Sequence, residues 1–167
     1  MKKINLLLMT VVYGVLLFLS SNALAVPMTW STNGHEYDVI SLSGRTWDEA
    51  RINAQSLGTG WDLATITSAA EQAFINGLLG IAPSTGTVQY WFGGFQPNGS
   101  SEPGGNWQWI NGEGQFWNNG STGMYSNWGL GEPNDNFGMG GQEHLALDNR
   151  YGWGWDDNDQ YQNVIFG

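Results

Sequence analysis

The sequence predicts an α+β domain, and three observations predict it. A strand pattern comes first, two helix patterns with their own caps follow, and short aromatic strands separated by loops of Gly, Asn and Ser make up the rest. The first strand signal lies within Trp30 to Leu42, where Tyr37, Val39, Ile40 and Leu42 are apolar. Ser43-Gly44 supplies turn chemistry. A helix is predicted from Thr46 to Leu57. Thr46 and Glu49 have capping-box spacing, Ala50, Ala54 and Leu57 form an apolar stripe, and Gly58 and Gly60 end it. Leu63 to Ile66 reads as a short buried strand or link. The second helix runs from Ser68 to Leu79, with Ser68 and Glu71 again at capping-box spacing and Phe74, Ile75, Leu78 and Leu79 turned to the core. Past Pro83, Tyr90 to Phe95 is an aromatic strand. Trp107 to Ile110 is another, with Trp107 and Trp109 on one face. Leu145 to Leu147 and Gly154-Trp155 read as further short strands. From Asn111 to Asn136 the chain has no helical period and reads as loop.

The amino terminus reads as an export signal rather than as part of the domain. Lys2 and Lys3 precede an apolar run from Ile4 to Leu19, and Ala23-Leu24-Ala25 is a small-residue cleavage pattern. Residues 1–25 are therefore expected to be a signal peptide, with 26–167 a single domain that is secreted, periplasmic or displayed at the cell surface. That domain keeps three arginines, Arg45, Arg51 and Arg150, against all 15 acidic residues, and it has no lysine. Such a field repels a phosphate backbone and an anionic lipid surface alike, which argues against nucleic acid as a partner. No second apolar segment is long enough to span a bilayer, so the mature domain is not expected to insert in a membrane. There is no cysteine, so the core, a metal, or both must hold the fold. Ten Trp and 25 Gly suggest loops pinned by large aromatic side chains.

Long loops without periodicity need something to order them. Here they carry Glu132, Asn134, Asp135, Glu143, Asp156 and Asp157. Oxygen-bearing side chains gathered in loops are what a calcium ion uses as ligands.

At these positions the chain resembles the C-type lectin-like domain family, in the cysteine-free, exported form of a bacterial protein. The resemblance covers most of residues 30–167. It is carried, in order, by Trp47-Asp48-Glu49-Ala50-Arg51, Leu63-Ala64-Thr65-Ile66, Tyr90-Trp91-Phe92-Gly93-Gly94, Trp107-Gln108-Trp109-Ile110-Asn111-Gly112, Tyr125-Ser126-Asn127-Trp128 and Gly131-Glu132-Pro133-Asn134. It implies two helices, short antiparallel sheets and a long calcium-binding loop region. It also implies Ca2+ as cofactor and glycans or glycosylated surfaces as partners. By resemblance, Glu132, Asn134, Glu143, Asp156 and Asp157 form the metal site. Glu132, Asn134, Glu143 and Asp156 would also contact sugar, with mannose-like or glucose-like diols favoured. Asp135 is an auxiliary ligand candidate, and Pro133 a candidate for a cis peptide bond.

Two departures stand out. Asp156 occupies the position where the family usually has Asn, which adds charge beside the ion and removes an amide donor to the sugar. His144 stands where many relatives carry an acid for a second calcium, so no second site is inferred. The family's closing strand would fall at Val164-Ile165-Phe166-Gly167, and it is expected to be short or truncated.

Bland roles compete with these readings. Trp91, Trp107, Trp109 and Trp128 are expected in the core, whereas Trp153 reads equally as core or as a sugar-stacking platform. Arg150 reads as a surface residue or a salt-bridge partner. An adhesion or protein-binding module with a structural calcium is the alternative function. A glycoside hydrolase is a weaker reading, since the same acids are accounted for as calcium ligands and a metal-bound carboxylate makes a poor general acid. No Gly-x-Ser-x-Gly elbow is present.

Overall fold

The computed structural model describes residues 26–136 and 141–159. The export signal expected at 1–25 and the closing strand expected at 164–167 lie outside the described residues. No helix among the described residues is long and apolar enough to cross a membrane.

A small hairpin comes first, with β1 (Met28–Thr29) antiparallel to β2 (Glu36–Tyr37). These strands are shorter than the predicted one, and Leu42 is left exposed. Helix α1 (Trp47–Ser56) begins at Thr46. The Thr46 hydroxyl accepts from Glu49 N–H, and the Glu49 carboxylate accepts from Thr46 N–H, so the capping box is complete. Ala50 and Ala54 are buried, while Leu57 falls just past the helix and is exposed.

Helix α2 (Ala69–Leu79) is capped by Ser68, but only half of its box forms. The Glu71 carboxylate is diverted to Thr67 N–H and to the hydroxyl of Tyr37, and Asn33 also donates to it. Glu71 is only 3% exposed, so these donors are what allow a carboxylate to be buried there. The diversion ties the hairpin to α2.

The main sheet has five antiparallel strands in the order β5-β4-β3-β6-β7. They are β3 (Gln89–Phe95), β4 (Trp107–Trp109), β5 (Gln115–Trp117), β6 (His144–Asp148) and β7 (Gly154–Asn158). Strand β5 lies in the stretch read as loop. Phe92, Trp107, Trp109, Phe116 and Trp155 are at most 2% exposed and meet as ring pairs with centroids 4.3–6.5 Å apart. Trp128 is partly buried against them. Two indole N–H groups find backbone acceptors, Trp47 donating to Phe92 O and Trp107 to Pro103 O, whereas those of Trp109 and Trp128 are buried and meet no acceptor among the described residues. In Trp47 and Trp107 the aromatic area supplies the apolar burial and the bonded N–H fixes orientation.

Two glycines test this packing in opposite directions. A Cβ at Gly94 would lie 2.4 Å from Leu145 Cδ2, in the middle of the sheet. Gly77 is in α2 with nothing within 4 Å of a Cβ. Gly94→Ala is expected to lower the unfolding free energy by about 1–3 kcal/mol through overpacking. Gly77→Ala is expected to raise it by about 0.5 kcal/mol by stiffening the unfolded chain. Urea denaturation of both variants checks the pair, and equal effects would contradict the packing described.

His144 supplies a pH test. Its ring sits 4.7 Å from that of Trp47 and 6.4 Å from that of Trp91, and burial lowers its pKa to about 4, against smaller opposing pulls from Asp48 and Asp159. The folded chain therefore keeps a neutral imidazole. Above the ordinary histidine range nothing is lost. As pH falls through about 6.5 toward 4, the unfolded chain takes up the proton first and stability drops, by about 3 kcal/mol at most. The urea stability of the native protein minus that of His144→Phe should fall between about pH 7.5 and about pH 4.5. A constant difference would show that His144 does not contribute.

Candidate functional site

Strand β7 and the loop before β6 are held together by their backbones. Trp155 N–H donates to Asn127 O, and Gly129 N–H donates to Trp155 O, both at 2.8 Å. The two segments run parallel at this point, through a bridge between Trp128 and Trp155. The loop is thereby laid beside the residues that follow Trp155, which are Asp156 and Asp157.

The Glu132–Pro133 peptide is cis. Beyond it, Asn134 N–H donates to Asp157 Oδ1 at 2.9 Å and Asp135 N–H donates to Asp157 Oδ2 at 2.7 Å. Asp157 is 1% exposed and so serves as a buried cap for the loop backbone. Glu132 is half-buried, and its Oε1 accepts from the Tyr151 hydroxyl. The ring of Tyr151 packs flat over Gly129, where a Cβ would come within 2.4 Å of it. Gly129 is thus required for the ring, and the ring for the placement of Glu132.

Glu132, Asp156 and Asp157 converge, each offering a carboxylate oxygen, with all three oxygens within 4.8 Å of one another. Glu132 Oε2 is buried and meets no hydrogen-bond donor among the described residues. Burial pushes the Asp156 carboxyl up, the charges of Glu132 and Asp148 push it further, and Arg150 offsets only part. Burial also pushes Asp157 up, opposed by the N–H groups of Asp135 and Asn134 and assisted by Glu132. Three like charges at this spacing, two of them on buried residues, repel strongly. The donor set is all oxygen with no imidazole or thiolate, so it suits a hard divalent cation such as calcium far better than zinc.

The other residues named from the sequence lie as follows. Asn134 is exposed beside the trio, and Asp135 is buried against Asp157 with a positive φ of 42°. Glu143 is not part of the trio. Asp156 and Asp157 pair with Ala146 and Leu145, so Glu143 lies past the paired stretch, roughly 7 Å of strand beyond Leu145. Its backbone carbonyl accepts from Gln96 N–H at 2.8 Å, and it lines a separate hollow of about 300 Å3 with Asp48, Phe95 and His144. Burial and the charges of Asp135 and Asp159 raise its carboxyl. Trp153 is 3% exposed, 5.6 Å from the ring of Tyr90, and its indole N–H donates to Gly80 O, so it is a core residue and no sugar platform.

Sequence reasoning offered Arg150 as a salt-bridge partner, which the structure bears out, but missed the rest of the support behind Asp156. Asp156 Oδ2 accepts from Gln89 Nε2 at 2.8 Å and from Arg150 Nη2 at 2.7 Å. Gln89 and Arg150 also grip Asp148, which is fully buried. Nothing in the sequence flags Gln89 or Tyr151, because their roles arise only when β3, β6 and β7 are brought side by side.

Comparison with known proteins agrees with this architecture. Residues 43–159 match the family model described as the lectin C-type domain. Ladderlectin of Oncorhynchus mykiss is 29% identical over 142 residues, covering 84% of this chain. The chain spans 62% of the length of that relative. Among solved structures, the C-type lectin CEL-I of Cucumaria echinata superposes with a TM-score of 0.59 at 22% identity, over 78% of this chain and 85% of that one. A calcium-independent type II antifreeze protein superposes with a TM-score of 0.57 at 23% identity, over 87% of this chain and 93% of that one. The family's lectins bind carbohydrate and are not enzymes, and with its fold and most of its length matched, this chain belongs to the C-type lectin domain family.

Proposed function

We propose that this is a calcium-dependent carbohydrate-binding domain that works after export, outside the cytoplasm. The carrying observation is the trio of Glu132, Asp156 and Asp157, with a buried Glu132 oxygen that no donor meets among the described residues. These three residues would hold the cation, and Asn134 stands beside them. A bound calcium takes 6–8 oxygens, so it would offer open positions to two vicinal hydroxyls of a sugar. Around those positions Glu132 accepts a hydroxyl proton and the Asn134 amide donates to the neighbouring oxygen. One diol orientation satisfies both, and the resemblance of Glu132-Pro133-Asn134 to the family motif favours mannose-like or glucose-like equatorial diols. The lectin-family match supports carbohydrate as the ligand class.

An adhesion or protein-binding module with a structural calcium is the second reading. The two N–H groups of the loop held by Asp157 favour it, since they make the trio an anchor for the loop as well as a binding site.

Thermal unfolding with calcium and with chelator, alongside a glycan array, tests both. Asp156 and Asp157 have raised pKa values, so their charged forms cost stability in the folded chain. That cost is absent in acid and grows as pH rises through the ordinary carboxylate range and beyond. Calcium is therefore expected to raise Tm, and by more at about pH 8 than at about pH 5. No calcium shift at either pH eliminates the cation site. A shift with no glycan bound selects the adhesion reading. In a second experiment, the double variant Glu132→Gln, Asn134→Asp exchanges the acceptor and donor ends and should move selectivity toward galactose-like sugars. Unchanged selectivity would remove these two residues from sugar recognition.

A further inference from the structure

We infer that Arg150 is a specificity-determining contact of this site, donating from the free edge of its guanidinium to a ligand hydroxyl in place of the amide that Asp156 lacks. The inference rests on the calcium-and-diol reading above.

Arginine carries five N–H donors in a planar fork. In Arg150, Nε reaches both Asp148 oxygens, at 3.1 and 3.0 Å. Nη2 reaches Asp148 Oδ2 and Asp156 Oδ2, each at 2.7 Å. Those contacts account for three of the donors. Among the described residues, no acceptor meets the two on Nη1. The side chain is nonetheless held in place: Asp148 grips it from a fully buried position, and the Tyr151 ring lies 5.5 Å from its central carbon. It is 48% exposed, so its outer edge faces solvent beside the carboxylate trio. A rigid, partly exposed donor next to a cation site is what an incoming polyol can use without ordering a flexible chain.

The charge pattern points the same way. Asp156 in place of a neutral amide adds a negative charge to a site already holding Glu132 and Asp157, and Arg150 is paired directly with that added charge. Among the described residues, Arg51 is paired elsewhere, with Asp62. Arg150 and Asp156 together therefore present the polar groups that a single Asn would: one oxygen left free of Arg150 and Gln89, and N–H donors for the ligand, while Asp148 shares the same guanidinium. The surrounding excess of acids makes a neutral glycoside, rather than an anionic one, the ligand class that this donor meets.

The test compares the native protein with Arg150→Gln and with Arg150→Gln, Asp156→Asn. Two measurements are made: the calcium midpoint from thermal shift, and the affinity for neutral monosaccharide glycosides on an array at saturating calcium. Arg150→Gln is expected to lose at least about tenfold in glycoside affinity, as expected for one charge-assisted hydrogen bond, while its calcium midpoint stays the same or tightens. The double variant should recover most of the affinity, because the amide is restored. Retained affinity in Arg150→Gln overturns this inference and leaves the calcium-and-diol reading standing. Loss of glycoside binding only in proportion to lost calcium also overturns it, since Arg150 would then be a strut for Asp156. A native protein that binds calcium but no glycoside overturns the inference together with the diol reading.

Discussion

The site depends on how Trp155 is held. Its side chain is fully buried among the rings of Phe92, Trp109 and Phe116, and its indole N–H donates to Gln72 on α2. Its backbone, meanwhile, is bonded to Asn127 and Gly129 of the loop. One residue thus joins core, helix and loop, and the next two carry the carboxylates. Shifting β7 by a single position would place Asp156 in the ring cluster and Trp155 against the loop, a change that the pleat makes all-or-none. Register in this strand is therefore set by aromatic burial, and the geometry of the acids follows from it.

Much of this was legible from residue order. Both helices start at the predicted Ser and Thr caps, because a capping oxygen and the apolar spacing after it are local signals. The aromatic strands were legible for the same reason, since Trp107 and Trp109 alternate with a polar residue. What escaped was set by distant partners. Strand β5 carries only three residues between glycine-rich turns, and its pairing with β4 is what makes it a strand. Glu71 reads as a cap residue, but the hydroxyl of Tyr37 draws it into the interior.

The candidate site divides along the same line. Glu132, Asn134, Asp156 and Asp157 were singled out because the loop and the strand each carry a compact, ordered signature, and the structure brings three of them, Glu132, Asp156 and Asp157, together. Glu143 was assigned by its place after the loop, and the register of β6 against β7 sets it outside the trio. Gln89 comes from β3 while Asp148, Arg150 and Tyr151 come from the turn that ends β6, and only the assembled sheet makes the two segments neighbours of the acids. Residues that support a site are chosen by packing, whereas residues that would touch a ligand are chosen by chemistry, and only the second kind leaves a local pattern.

The loop's attachment has a consequence for how such a domain diversifies. The backbone bonds that dock it involve Asn127, Gly129 and Trp155, and the buried cap comes from Asp157. Main-chain hydrogen bonds are indifferent to side-chain identity. The exposed side chains between these anchor points, Leu130 and Asn134 among them, are therefore free to be exchanged while the chain path is preserved. Docking by backbone separates inheritance of shape from invention of recognition, so that descendants of one scaffold can acquire new ligands without having to fold anew.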